Sequence, residues 1–225
     1  MGSLGPDPLE WDPRSVAATL PCTLTEGTTS PVPFFHLLAF LKTTKREGWQ
    51  QAGIKHGESI AEHMYRMSTM TMFCPAQLAS RLCIARCIEM SLVHDMAECL
   101  VGDITPLHTH ITKQEKARRE AATMEYISQS LLGGISGSEK ACERLMGLFQ
   151  EYEENRTLEA RFVHDVDKLE MVLQTIEYER SLGRDLSEFY HVLDDICLPE
   201  VREWAAVVMK DRKLAPACPR ERETV

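Results

Sequence analysis

A histidine and an aspartate, His94-Asp95, continue the apolar stripe of a helix, and no other feature constrains the fold of this chain as tightly. Measured from His94 at about 100° per residue, Ile84, Cys87, Ile88, Ser91 and Asp95 all fall within about 120° of arc. The imidazole and the carboxylate therefore continue the buried side. An interior carboxylate needs cations or hydrogen-bond donors to offset its desolvation. Other segments must supply them, and a divalent metal lying between the two side chains would do so. The plainer alternative is a histidine that satisfies a backbone group, with an unrelated aspartate beside it.

The segments available to surround this pair are helical. Phe34 to Thr44 is apolar-periodic and ends near Lys45-Arg46-Glu47-Gly48-Trp49. Ser59-Ile60-Ala61-Glu62 is a capping box that opens a helix reaching about Phe73, before Pro75. A third helix is predicted from near Ala79 to about Cys99, stopping at Gly102. A second capping box, Thr112-Lys113-Gln114-Glu115, starts a charged helix that ends at Gly133-Gly134. Further helices are predicted at about Ser138–Asn155, Leu158–Leu182, Leu186–Asp195 and Pro199–Lys213, with Gly183 as a stop and Pro199 in a first turn. No alternating strand pattern with turn signals occurs, so the expected fold class is all-α.

Length and composition bound the rest. The 225 residues suit one domain with tails, and 44% apolar content supports a real core. Residues 1–33 are rich in proline with Gly, Ser and Thr and read as a disordered leader, 34–211 as the domain, and 212–225 as a flexible tail. A net charge of −9 and a pI near 5.4 disfavour nucleic acid and membrane surfaces as partners. The eight cysteines are irregularly spaced with no C-x-x-C pair. No signal peptide or membrane span is visible, which predicts free thiols in an intracellular, cytosolic or nuclear setting.

Further ligands for a metal at His94 and Asp95 must come from other helices. His63 lies on an apolar face with Ile60, Met64, Met67, Met70 and Thr71. On a later helix, Arg161 to Glu170 offers both Asp165 and Asp167, and periodicity does not choose between them. The second dipeptide, His164-Asp165, is a decoy for the first. Glu98, one turn after His94 on a continuous helix, and Asp103, after the turn at Gly102, are further carboxylates for proton handling or for a second cation. Lys113, Lys116, Arg118 and Arg119 interleave with Glu115 and Glu120 and read as a solvated, self-paired face.

Three blocks carry a resemblance: E-S-I-A-E-H-M-Y-R-M at 58–67, L-V-H-D-M-A-E-C-L-V-G-D-I-T-P at 92–106, and F-V-H-D-V-D-K-L-E-M at 162–171. Over roughly Phe34 to Glu203 the chain resembles the HD-domain metal-dependent phosphohydrolases, most closely their 5′-deoxynucleotidase branch. The resemblance implies an HD-domain helical bundle with a buried metal site on His63, His94, Asp95 and Asp167, which favours Asp167 over Asp165. It implies Arg46 as the phosphate-orienting cation, with Trp49, Asp103 and Thr105 as candidate substrate contacts. A second metal on Glu98, Asp103 and the carbonyl of Ile104 is also implied. Two His and two Asp, with no thiolate, suit Mn²⁺, Co²⁺ or Mg²⁺, with Zn²⁺ and Fe²⁺ also admissible. The implied activity is hydrolysis of deoxyribonucleoside 5′-monophosphates by a homodimer. Alternatives are another HD-domain activity, a phosphodiesterase or a di-iron oxygenase drawing on His108 or His110, and a non-catalytic metal-stabilised scaffold.

Overall fold

Side-chain caps at Asp12, Ser59, Thr112 and Thr157 set four of the helix starts in the computed structural model, which describes residues 11–105 and 111–214. In chain order the helices are α1 (Pro13–Ala17), α2 (Val32–Leu38), α3 (Glu47–Gln51), α4 (Ile60–Met72), α5 (Ala76–Ala79), α6 (Ile84–Val93), α7 (Glu98–Val101), α8 (Lys113–Glu125), α9 (Glu139–Glu154), α10 (Leu158–Leu182) and α11 (Pro199–Leu214). A 3₁₀ turn, Ala39–Lys42, extends α2; a π-helical stretch, Tyr126–Leu131, extends α8; and a 3₁₀ segment, Ser187–Asp195, precedes α11. The chain is all-α. Among the described residues the one β contact is an isolated bridge between Lys45 and Ser59. No helix among them is long and apolar enough to cross a membrane.

The first capping box forms reciprocally: Ser59 N–H donates to Glu62 Oε2 at 2.6 Å, and Glu62 N–H donates to Ser59 Oγ at 3.2 Å. The second forms by half. Thr112 Oγ1 accepts from Glu115 N at 3.1 Å, but the Glu115 carboxylate is taken by Arg118 and Arg119. Those two guanidiniums hold Glu115 down to about pKa 2. Helix α10 has the predicted bounds and ends at Gly183, which is left-handed at φ 60°.

Four expectations are corrected. The helix predicted from Ala79 to Cys99 is broken: α6 stops at Val93 and α7 starts at Glu98. Between them Met96 N donates to Val93 O and Glu98 N to Asp95 O, both at 3.0 Å, so the backbone tightens to i→i+3 bonding. The segment Leu186–Asp195 is 3₁₀, not α. Residues 11–33 are not a disordered leader. Asp12 caps α1 by accepting from Ser15 N at 2.9 Å, Trp11 is buried, and Gly27 N donates to Ser130 O at 2.9 Å. At the other end Arg212, expected in the tail, is helical and forks onto Glu179 at 2.8 and 3.0 Å. Residues 1–10 and 215–225 of the expected leader and tail lie outside the described residues.

The chain forms two compact units, Met1–Met64 with Leu92–Gln150, and Tyr65–Ser91 with Glu151–Val225. Fully buried apolar side chains of the first include Leu37, Ile60, Met124, Ile127 and Leu131; those of the second include Met67, Leu78, Met90, Phe162 and Leu169. Each contributes about 1.5–3 kcal/mol by leaving water. Those gains are what allow each unit to carry buried charge at a cost. In the second unit that charge is saturated: Arg66 donates to Glu170, Gln174 and Glu177, each at 2.7 Å.

Candidate functional site

The break between α6 and α7 decides how the first unit presents its polar groups. Released from the helix, His94 and Asp95 sit in the turn. Asp95 Oδ2 lies 3.2 Å from His94 Nε2, 3.1 Å from Arg46 Nη1 and 3.9 Å from His63 Nε2. The two imidazole rings are 5.6 Å apart, edge to face, and both residues are buried. Their ligand-capable atoms lie within 4.8 Å of each other. His63 arrives on the first turn of α4, its N–H bonded to Ser59 O at 3.1 Å, so the capping box that starts the helix also positions this ring. Burial works against the charge on Asp95. The His94 imidazole, the Arg46 guanidinium and the His63 imidazole outweigh it and hold the carboxyl well below the usual range.

Arg46 stands at the N-cap of α3, with its own N–H on Glu58 O at 3.1 Å. A cation gains nothing from the dipole at a helix N-terminus. The Arg46 guanidinium instead pairs with Asp95. Trp49 on α3 is 2% exposed, and its Nε1–H donates to Glu58 Oε1 at 2.9 Å. It packs the loop and offers no open ring face.

Glu98 opens α7 and is 1% exposed. Its Oε2 accepts no hydrogen bond among the described residues. Burial, then the carboxylates of Asp95 and Asp103, push Glu98 well above the ordinary carboxyl range, while Arg46 and Lys116 pull it back. Gly102, at φ 74°, takes a conformation that side chains resist, and the chain turns there to bring Asp103 Oδ2 within 2.8 Å of Glu47 N. Ile104 is buried and Thr105 half-buried; His108 and His110 lie outside the described residues.

Lys116 on α8 departs from the self-paired face expected of it. Its Nζ is 3.4 Å from Glu120 Oε1, but also 3.8 Å from Glu98 Oε1. Sequence reasoning missed it by weighing charge alternation alone. Lys116, Glu120, Thr123, Met124 and Ile127 share a helical face, and the last four are buried, so apolar periodicity traced backwards from Ile127 would have placed Lys116 on the inner side.

In the second unit the two candidate aspartates of α10 have different surroundings. Asp165 is 1% exposed, and its carboxylate accepts from Cys197 N at 3.0 Å and Leu198 N at 2.6 Å, just before α11. Those bonds occupy it structurally. His164 stacks on Tyr152 at 3.9 Å, and its Nε2 lies 2.9 Å from Tyr152 O. Asp167 is half-buried and accepts from Tyr152 Oη at 3.1 Å.

Two buried imidazoles facing one carboxylate form a nitrogen–oxygen donor set of the kind that holds a borderline or hard divalent cation. The hydrogen-bond capacity left on Glu98 Oε2, beside that set, fits a site that receives a further cation or a proton. The residues present therefore fit a metal.

The HD domain family profile matches residues 38–203. The chain is 45% identical to 5′-deoxynucleotidase hdd1 of Schizosaccharomyces pombe over 186 residues, covering 82% of this chain and 91% of that protein. It is 40% identical to 5′-deoxynucleotidase YGK1 of Saccharomyces cerevisiae over 182 residues, covering 80% and 82% of the two chains. The solved structure of HD domain-containing protein YGK1 superposes with a TM-score of 0.63 at 29% identity, covering 90% of this chain and 97% of that one.

Proposed function

This chain belongs to the HD domain family, and from that premise we propose that it is a 5′-deoxynucleotidase, a phosphoric monoester hydrolase that converts deoxyribonucleoside 5′-monophosphates and water to deoxynucleosides and phosphate. The observation that carries this reading is the meeting of Arg46, His63 and His94 on the single carboxylate of Asp95, beside the buried Glu98. The names of the relatives at 40–45% identity support the substrate class.

In this reading His63, His94, Asp95 and Asp167 hold a divalent metal: Mn²⁺, Co²⁺ or Mg²⁺. When bound, such an ion polarises a phosphoryl group and lowers the pKa of a coordinated water. The chain's own residues do the rest. Arg46 sets a planar fork of donors beside Asp95, matched to phosphate oxygens. Tyr152 steadies Asp167 through its hydroxyl. Glu98, buried beside Asp95, takes a proton from the attacking water and passes it to the departing 5′-oxygen. Asp103 and Thr105, on the segment after Gly102, close on the sugar, where a 2′-hydroxyl would be crowded. The homodimer expected from the resemblance belongs to the same reading. Free thiols at all seven described cysteines accord with a reducing, intracellular setting.

The test is the purified protein with Mn²⁺, Co²⁺ or Mg²⁺ against deoxy- and ribonucleoside monophosphates, cyclic nucleotides and triphosphates. Phosphate release from the deoxymonophosphates above all others is expected, together with loss of Mn²⁺ binding in Asp167→Asn. Turnover of cyclic nucleotides without monophosphates would overturn the reading, and equal rates on ribonucleotides would remove the steric account of Thr105. Light scattering of the eluted protein gives the oligomeric state.

A further inference from the structure

We infer that Lys116 is a positioning residue for Glu98: an ammonium fixed by one buried carboxylate, Glu120, so that it holds another, Glu98, in a single orientation. The inference rests on the reading above and assigns part of the same site to α8. Lys116 Nζ lies 3.4 Å from Glu120 Oε1 and 3.8 Å from Glu98 Oε1, and its side chain is one-third exposed. The other basic residues of the helix are used differently. Arg118 and Arg119 are folded back onto Glu115; Arg118 also donates to Trp11 O at 3.2 Å, and Arg119 lies over the Trp11 ring at 5.4 Å. Together with the Thr112 cap, these contacts fix the start of α8, so the position of Lys116 is set by the helix as well as by its own tether.

The consequence for Glu98 follows from its two oxygens. One faces Lys116, while the other accepts no hydrogen bond among the described residues. A carboxylate held by a cation at one oxygen presents the other in a defined direction. Without the cation, a 1%-exposed carboxylate beside Asp95 and Asp103 would turn away from its like-charged neighbours. Lys116 also opposes the charge of this acidic cluster, and so weakens the attraction of the cluster for any added divalent cation. Its effect on the reaction is exerted through Glu98.

The test compares the full-length wild type with Lys116→Met, Lys116→Arg and, as a control from the exposed side of the same helix, Lys113→Met. Kinetics on deoxyadenosine 5′-monophosphate, thermal midpoints, and Mn²⁺ binding followed by the electron paramagnetic resonance of the free ion are measured for each. Lys116→Met is expected to lower kcat roughly 10–100-fold, because misplacing a reacting group by about 1 Å has an effect of that order, while KM stays within about threefold. Lys116→Arg recovers most of kcat, Lys113→Met changes nothing, and Mn²⁺ binds Lys116→Met more tightly than wild type. An unchanged kcat in Lys116→Met overturns the inference. So does an equal loss in the Met and Arg variants, with or without a lowered thermal midpoint. Should the wild type hydrolyse no nucleotide, the functional reading fails by itself, and Mn²⁺ binding still judges Lys116: an affinity unchanged in Lys116→Met overturns its role.

Discussion

The chain contains the dipeptide His-Asp twice, and the two copies have opposite fates. At 94–95 the helix breaks, and the carboxylate faces two imidazoles and a guanidinium. At 164–165 the helix continues for 25 residues in all. There the imidazole stacks on Tyr152, and the carboxylate takes the backbone N–H groups of Cys197 and Leu198. Both aspartates are largely shielded from water. The difference lies in what meets them. Backbone donors complete Asp165 and make it part of the fold, whereas side-chain groups that can also ligate or bind phosphate leave Asp95 available for chemistry. The local sequence is the same, and the partners decide the role.

Exchanging each aspartate for a neutral residue tests this contrast most severely. Asp95→Asn is expected to lower kcat/KM by about a thousandfold or more while leaving the thermal midpoint within a few degrees. Retained activity and Mn²⁺ binding in that variant would erase the distinction. Asp165→Ala should show the reverse, costing about 2–4 kcal/mol because the N–H groups of Cys197 and Leu198 lose their buried acceptor. That is roughly 4–16 °C at this chain length, read by thermal unfolding, with kcat per folded molecule preserved. A smaller effect is expected at Tyr152, which touches His164 and Asp167 on either side of Asp165. Tyr152→Phe keeps the stack on His164 but removes the hydroxyl from Asp167, and should weaken Mn²⁺ binding about tenfold in titration. An unchanged affinity would confine Tyr152 to packing.

The smallest effect concerns Glu179, a carboxylate of α10 completed by a cation. Burial opposes its charge, but Arg212, Tyr190 and Leu186 N–H outweigh it and lower its pKa below 4.5. A depressed carboxyl contributes stability that is present above its unfolded value and lost as pH falls through the folded one. Thermal midpoints of the wild type should therefore drop more steeply below about pH 4.5 than those of Glu179→Gln. Because the pair is only half-buried and solvent still screens it, the gap should stay within about 1 kcal/mol. Parallel acid limbs would count against the pairing.

Much of this was readable in the chain itself, for physical reasons that differ by element. Helix α10 has a cap at Thr157 and a left-handed stop at Gly183, so both ends were encoded locally. The break before Glu98 was not, because the apolar period runs unbroken through residues 92–97 and the i→i+3 tightening depends on contacts distant in sequence. Composition hid α1, although Asp12 followed by Pro13 is a start signal that could have found it. The choice between Asp165 and Asp167 was undecidable from periodicity, since it depends on Cys197 and Leu198, some thirty residues away. Among the described residues Arg46, His63, His94 and Asp95 come together in the first unit. The approach of Lys116 to Glu98 was obscured by its charge pattern.

The N-terminal stretch has a practical consequence for anyone trimming this protein. Arg14 bonds Ser130 at 2.8 Å and Glu26 at 3.1 Å, while Trp11 receives both guanidiniums from the start of α8. A version beginning at residue 34, where a proline count would put the cut, discards the brace that keeps α8 in register. It could still be helical, yet deliver its lysine to the wrong place.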